Sequence, residues 1–333
     1  MTARYSPRER IEMILAGEKP DRFAASFWRH FFHLENNARG TAEAMIRFQK
    51  ELGWDFVKLN PRADYHIEGW GFRQEWSRHE FRKHTKLDFP IKRIEDWDNI
   101  AALPLQTPAL AEHLEVISLV RRALGRDIPI LMTVFTPLAV AGRMVADRQT
   151  MVEHLRTDPD RIHRALRAIT DTFSAFAVES RNAGADGLFF ATLQWASSDM
   201  ITWDEYRIFG VPYDLEVMGA MDTEAINLLH VCAGSNYLEQ LSRLDYSCLM
   251  YNWDSQDPTN LPIDRSDEIL TGRTVVGGVD HNGWLLHSDA AEVAHRIAVL
   301  KDENDPSNFI IGPGCCVPPE VPIENYRAIR ENL

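Results

Sequence analysis

Along this chain, short apolar runs rich in Val, Ile, Leu and Phe alternate with longer stretches whose apolar positions return every three to four residues. The short runs are continuously apolar, which predicts strands covered on both faces, as in a parallel sheet. Eight are expected: Phe23 to Trp28, Asp55 to Asn60, Pro129 to Val134, Gly187 to Ala191, Ile226 to Val231, Ser247 to Asn252, Val275 to Val279, and Phe309 to Gly312. The stretches between them read as helices. The longest runs from about Asp158 to Asn182, with Ile162, Leu166, Ile169, Phe173 and Phe176 at helical spacing and Gly184 at its end. Strands alternating with helices in this number predict an α/β chain folded as a closed (β/α)8 TIM barrel. Before the first strand, Ser6, Pro7 and Glu9 frame a helix with a capping box, closed by Gly17, which predicts an N-terminal helical extension that plugs the barrel. Residues 61–100, after strand two, are long for a βα connection and dense in Trp, Phe, Arg and His. They predict a hairpin or lid-like insertion over the barrel mouth. No repeat or low-complexity linker interrupts the chain, so residues 1–333 are expected to form one barrel domain.

Composition narrows the function. A net charge of −13 disfavours a polyanionic partner such as nucleic acid. The four cysteines, two of them adjacent, do not form a disulfide framework, which points to a reducing compartment. No basic-then-apolar leader is evident, and no apolar run approaches the ~18 residues a membrane span needs. A cytoplasmic enzyme, neither exported nor inserted in a membrane, is therefore expected.

The chemistry concentrates in two segments. His230-Val231-Cys232 ends the fifth predicted strand, and Gly314-Cys315-Cys316 follows the eighth. An imidazole and two thiolates make a soft ligand set that suits Zn²⁺ and leaves one tetrahedral position open. In a barrel the active site is built at the carboxyl ends of the strands, and both segments reach that rim. Taken singly, each is as well explained by packing or by an ordinary hydrogen bond, and Cys248, inside a strand run, reads as core. Further rim candidates are Asn60, Phe135, Thr136, Gln194, Trp195, Asp254, Asp280 and His281. Of these Asp280 is the catalytic candidate: it can orient a ligand imidazole, occupy the fourth metal position or accept a proton, and it can equally cap the following turn. Asn60, Gln194, Trp195, Asp254 and His281 are the substrate-binding candidates.

Several motifs make the chain resemble the uroporphyrinogen decarboxylase superfamily over nearly its whole length. They are Ser6-Pro7-Arg8-Glu9-Arg10 with Gly17-Glu18-Lys19-Pro20-Asp21-Arg22, Gly277-Gly278-Val279-Asp280, Leu229-His230-Val231-Cys232-Ala233-Gly234, and Gly314-Cys315-Cys316-Val317-Pro318-Pro319 leading into Pro322-Ile323-Glu324-Asn325. The His-x-Cys with a later Cys is similar to the zinc-dependent methylcobamide:coenzyme M methyltransferase branch. That resemblance implies a (β/α)8 barrel binding zinc through His230, Cys232 and Cys315, with Cys316 where the branch usually has glycine. The decarboxylase branch is matched less well. Its arginine-rich segment after strand one is replaced by Trp28-Arg29-His30-Phe31-Phe32-His33, of which only Arg29 corresponds, and its aspartate after strand two by Asn60.

The activity implied is transfer of a methyl group from a methylated corrinoid to a thiol, zinc serving to make the thiolate at neutral pH. No Asp-x-His-x-x-Gly corrinoid signature is present, since Asp280-His281-Asn282-Gly283 has the wrong spacing, so methylcobalamin or a related corrinoid would be delivered by a partner corrinoid protein. Trp70, Phe72, Trp76 and Phe81 of the insertion are either that partner's docking surface or lid packing. Two other readings stand beside this one: a metal-free decarboxylase-like lyase acting on a carboxylated substrate, and a non-catalytic corrinoid-protein partner with a structural zinc. Barrels of this superfamily are often dimeric, so a homodimer is a further expectation. The identity of the acceptor thiol and of the original methyl donor is not encoded in any motif.

Overall fold

A computed structural model of the protein describes residues 4–221 and 224–333. Its strands are β1 (Ala24–Ala25), β2 (Val57–Leu59), β3 (Arg73–Glu75), β4 (Thr85–Asp88), β5 (Ile130–Phe135), β6 (Gly187–Ala191), β7 (Leu228–Val231), β8 (Met250–Trp253), β9 (Thr274–Val279) and β10 (Phe309–Pro313). All but β3 and β4 form one parallel sheet in the order β1-β10-β9-β8-β7-β6-β5-β2. The end strands meet where the Asp55 N–H donates to the Ala25 carbonyl at 2.8 Å and the Ser26 hydroxyl donates to the Phe56 carbonyl at 2.8 Å. The sheet thus curls into a (β/α)8 barrel with its helices outside. Each of the eight expected strands is present, all but Gly187–Ala191 with shifted ends. β1 keeps only two residues of its expected span, and β8 begins at Met250 because Ser247 has a φ of 51°, which a strand does not accommodate.

Period two along each strand sends alternate side chains inward. Ala24, Phe56, Leu131, Phe189, Leu228, Met250, Val276 and Ile310 meet there, joined by Ile11 and Ile14 of the helix Pro7–Leu15. That helix is the expected plug. Its capping box is complete, with the Glu9 N–H donating to Ser6 Oγ at 3.2 Å and the Ser6 N–H to the Glu9 carboxylate at 2.7 Å. Arg10, buried on the same helix, donates to Asp21 at 2.8 Å and to Asp55 at 2.5 Å, and Arg22 meets Asp55 at 2.8 Å. The plug is therefore tied by charge to the junction that closes the sheet. Outside the barrel, the helix Pro159–Ala183 buries Ile162, Leu166, Ile169, Phe173 and Phe176 and ends at Gly184, whose φ of 118° reverses the chain.

Within residues 61–100, β3 and β4 pair as an antiparallel hairpin, followed by the 3₁₀ helix Ile94–Asn99. Phe72 is buried and Trp70 donates Nε1–H to the Ala101 carbonyl at 2.8 Å, whereas Trp76 and Phe81 are 39% and 44% exposed. No helix among the described residues is long and apolar enough to cross a membrane.

Candidate metal centre and its cavity

Because side chains alternate along a strand, Leu228, His230 and Cys232 share one face of β7, and the last two stand above the apolar barrel interior. Cys315 arrives from the turn after β10. Gly314 precedes it in a place where an added Cβ would lie 2.7 Å from Asp254 Oδ1, so a side chain there would push the turn away. The Cys315 sulfur lies 3.6 Å from His230 Nε2 and 3.8 Å from the Cys232 sulfur, and the three donor atoms are all within 4.8 Å of one another. With Zn–S of ~2.3 Å and Zn–N of ~2.0–2.1 Å, the edges of a tetrahedron come to about 3.8 Å between sulfurs and about 3.6 Å between sulfur and nitrogen. Both match. The two cysteines are free, far beyond the ~2.05 Å of a disulfide.

A hydrogen bond fixes the imidazole. The His230 Nδ1–H donates to Asn252 Oδ1 at 2.6 Å, and Asn252 Nδ2 donates to the carbonyls of Val276 at 2.7 Å and Pro313 at 2.9 Å. Those two carbonyls determine which way the buried amide faces, so its oxygen meets the ring and the lone pair is left on Nε2 toward the sulfurs. Between the sulfurs, the hydrogen bond from Cys232 holds Cys315 well below the usual thiol range, against the opposing effect of burial, and pushes Cys232 well above it. One thiolate is thus already favoured.

The triad opens into a cavity of about 620 Å³. Trp28, Lys58, Asn60, Phe189 and Cys316 are among its lining residues near the triad, and the hairpin contributes Phe81, Lys83 and His84. Farther out, Lys86 and Arg143 approach the single carboxylate of Asp64 at 3.1 and 3.9 Å. His66 is buried there with neither ring nitrogen hydrogen-bonded among the described residues, and burial pushes its pKa down to about 3, so it is neutral.

The sequence candidates separate in space. His230, Cys232 and Cys315 come together, and Asn60 lines the same cavity. Cys316 faces another way: its sulfur is 3.8 Å from Asn60 Nδ2 and 3.9 Å from the Trp28 carbonyl oxygen. Gln194, Trp195, Asp254, Asp280 and His281 are not among the residues that line the cavity. Gln194 is exposed, and Trp195 is buried against Gly142, where an added Cβ would lie 1.9 Å from Nε1. Asp254 accepts from the Gln256 N–H at 3.1 Å, and Asp280 accepts from the Gly283 N–H at 2.7 Å, a turn-closing bond. His281 is buried with Nε2 3.1 Å from Asn282 Nδ2. Arg29 pairs with Glu80 of the hairpin at 2.9 Å. Two residues that the sequence reading passed over are central: Asn252, which holds the imidazole, and Lys58, a buried cation beside the sulfurs. Each carried a signal, a polar residue at an inward-facing position of an otherwise apolar strand.

Residues 7–332 match the uroporphyrinogen decarboxylase (URO-D) family. The methylcobamide:CoM methyltransferase MtbA of Methanosarcina mazei is 20% identical over 98% of this chain and 97% of its own length. A uroporphyrinogen decarboxylase of Chlorobaculum tepidum is 30% identical over 75% of this chain and 71% of its own. Among solved structures, a methyltransferase from Methanosarcina mazei superposes with a TM-score of 0.84 at 20% identity, covering 98% of both chains.

Proposed function

Because the chain belongs to the uroporphyrinogen decarboxylase family, we propose that it is the methyl-transferring kind of member: a zinc-dependent enzyme that moves a methyl group from a methylated corrinoid, carried by a partner protein, to a thiol. The observation that carries the reading is the convergence of His230, Cys232 and Cys315 on a ligand-sized cavity, with the distances from the Cys315 sulfur to His230 Nε2 and to the Cys232 sulfur those of two edges of a zinc tetrahedron and all three donors within 4.8 Å of one another. Similarity to MtbA over nearly the full length of both chains supports it, as does Asn60 at the aspartate position of the decarboxylase branch.

The chain's residues divide the work. His230, Cys232 and Cys315 would hold the ion, and Asn252 keeps the imidazole in the tautomer that offers Nε2. When bound, Zn²⁺ would lower the pKa of an acceptor thiol so that its sulfur is a thiolate at neutral pH. Phe189 and Trp28 line the cavity with apolar surface, as do Phe81 and His84 of the hairpin, and together they would limit water around the acceptor. In the net reaction the acceptor sulfur gains the methyl group and loses its proton to solvent. The electron pair of the broken methyl–cobalt bond stays on the partner's corrinoid.

The test is metal content together with methylation of a thiol panel by methylcobalamin, in wild type, Cys232→Ser and Cys315→Ser. The expected result is one zinc per chain, thiol-dependent demethylation of methylcobalamin, and loss of both in each variant. Wild-type protein that binds no metal, or an activity indifferent to a chelator, would move the assignment to a metal-free lyase.

A further inference from the structure

Lys58 is a buried cation beside the cysteine sulfurs. It stands on β2 at an inward-facing position, only 6% exposed, with its ammonium 4.6 Å from the ring centroid of Phe189 and 5.8 Å from that of Trp28. An ammonium carries three N–H donors. Among the described residues Lys58 makes no ion pair, and its one hydrogen-bond acceptor is Asn60 Oδ1. Two donors therefore remain open in a place where water is scarce, a costly arrangement unless something fills them. The nearby carboxylate of Glu35 is already engaged by His30 Nδ1 at 2.9 Å and the Phe31 N–H at 2.6 Å. Besides Glu35, the groups that favour the charged form of Lys58 are the sulfurs of Cys316, Cys315 and Cys232. Burial pulls the ammonium down to about 8, so the cation still prevails at neutral pH.

Charge balance gives this cation a purpose. Zn²⁺, two thiolates and a neutral imidazole sum to zero, so an acceptor bound as thiolate would leave the metal and its ligands with one net negative charge. Lys58 supplies the matching positive charge. Once the sulfur carries a methyl group it is a neutral thioether, and Lys58 is again unpaired.

We propose that Lys58 is the acceptor-binding cation of this site, donating its open N–H groups to the thiolate sulfur and thereby making the cavity select thiolates over the thioethers they become. This rests on the thiol-acceptor reading above and adds a group that binds the substrate anion and favours release of the product.

The experiment is titration of cobalt-substituted wild type, Lys58→Met and Lys58→Arg with 2-mercaptoethanol and with its S-methyl product, 2-(methylthio)ethanol, followed by cobalt absorption. Both probes have neutral tails, so the contrast between them isolates the sulfur. In Lys58→Met the thiol is expected to bind ten- to a hundredfold more weakly while the thioether binds as before or more tightly, and Lys58→Arg should keep part of the preference. The thiol-to-thioether ratio is the deciding quantity, since a damaged fold would weaken both. An unchanged ratio in Lys58→Met overturns the role of Lys58 while leaving the methyltransferase reading intact. Wild-type protein that takes up no cobalt overturns that earlier reading, and the proposal with it.

Discussion

Replacing Asn252 separates the hydrogen bond that would serve the proposed metal from those that serve the fold. The side chain is fully buried and makes three bonds: it accepts from His230 Nδ1–H at 2.6 Å and donates to Val276 and Pro313 at 2.7 and 2.9 Å. Asn252→Leu keeps the branched skeleton with the same number of heavy atoms and removes all three. Two buried carbonyls then each lose a donor, at up to roughly 1–3 kcal/mol apiece, so the metal-free protein should lose as much as about 2–6 kcal/mol of stability. The imidazole also loses the partner that sets its tautomer, which costs metal sites roughly 10–100-fold in affinity, or about 1.4–2.7 kcal/mol. Asn252→Asp divides these effects. It still accepts from Nδ1–H and should hold zinc at least as tightly as wild type, but it turns a carboxylate toward two carbonyls and should lose stability as the Leu variant does. Zinc affinity by competition with a chromophoric chelator, and thermal denaturation in the presence of a strong chelator, measure the two quantities apart. If Asn252→Leu binds zinc like wild type, or Asn252→Asp loses it equally, then Asn252 does not present Nε2 to a metal and the reasoning from tautomer to ligand fails.

Three further outcomes are expected. Asp214 is buried with its carboxyl accepting from the hydroxyls of Tyr206 at 2.7 Å and Tyr246 at 3.1 Å, and burial pushes its pKa up to about 7. Since that exceeds its unfolded value of ~3.9, its contribution to stability is complete below about pH 4 and disappears as pH rises through 7, roughly 4 kcal/mol in all. Asp214→Asn should therefore flatten the pH dependence of urea denaturation between pH 4 and 8, and an unaltered slope would contradict the assignment. Asp55→Asn leaves the buried Arg10 guanidinium without its full counter-charge and should cost about 3–5 kcal/mol by the same denaturation assay, whereas a loss under 1 kcal/mol would mean that the plug is held by its apolar face alone. Gly142→Ala forces its new methyl group into the Trp195 ring and should destabilise by about 1–3 kcal/mol with a change in tryptophan emission; unchanged emission would place Trp195 elsewhere.

The barrel was readable because parallel strands covered on both faces announce themselves as unbroken apolar runs, and Gly187–Ala191 was bounded to the residue. Strand ends were harder to place: Ser247 looks like the start of a strand, but its left-handed backbone belongs to the preceding turn. The clustering of His230 and Cys232 was legible because His-x-Cys has the period of a strand, so both side chains had to share a face whatever the tertiary detail. Lys58 was not, since a run such as Phe56-Val57-Lys58-Leu59 reads as covered strand and the parity of its one cation becomes informative only once the inner face is known. Trp195 illustrates the opposite error. Position after a strand suggested a rim residue, while its bulk and the missing side chain at Gly142 make it packing.

The donors of the candidate metal centre come from β7 and from the turn after β10, which are separated in the sheet by β8 and β9 and along the chain by 83 residues. An ion held there is a cross-link spanning two intervening strands, and it closes a loop that costs considerable chain entropy to form in the unfolded protein. During synthesis the nascent chain would carry His230 and Cys232 exposed and without a third ligand until nearly all of the barrel had been made. If the proposed zinc binds there, its capture would be a late, committing event in folding, and zinc occupancy would report whether the final strand has docked.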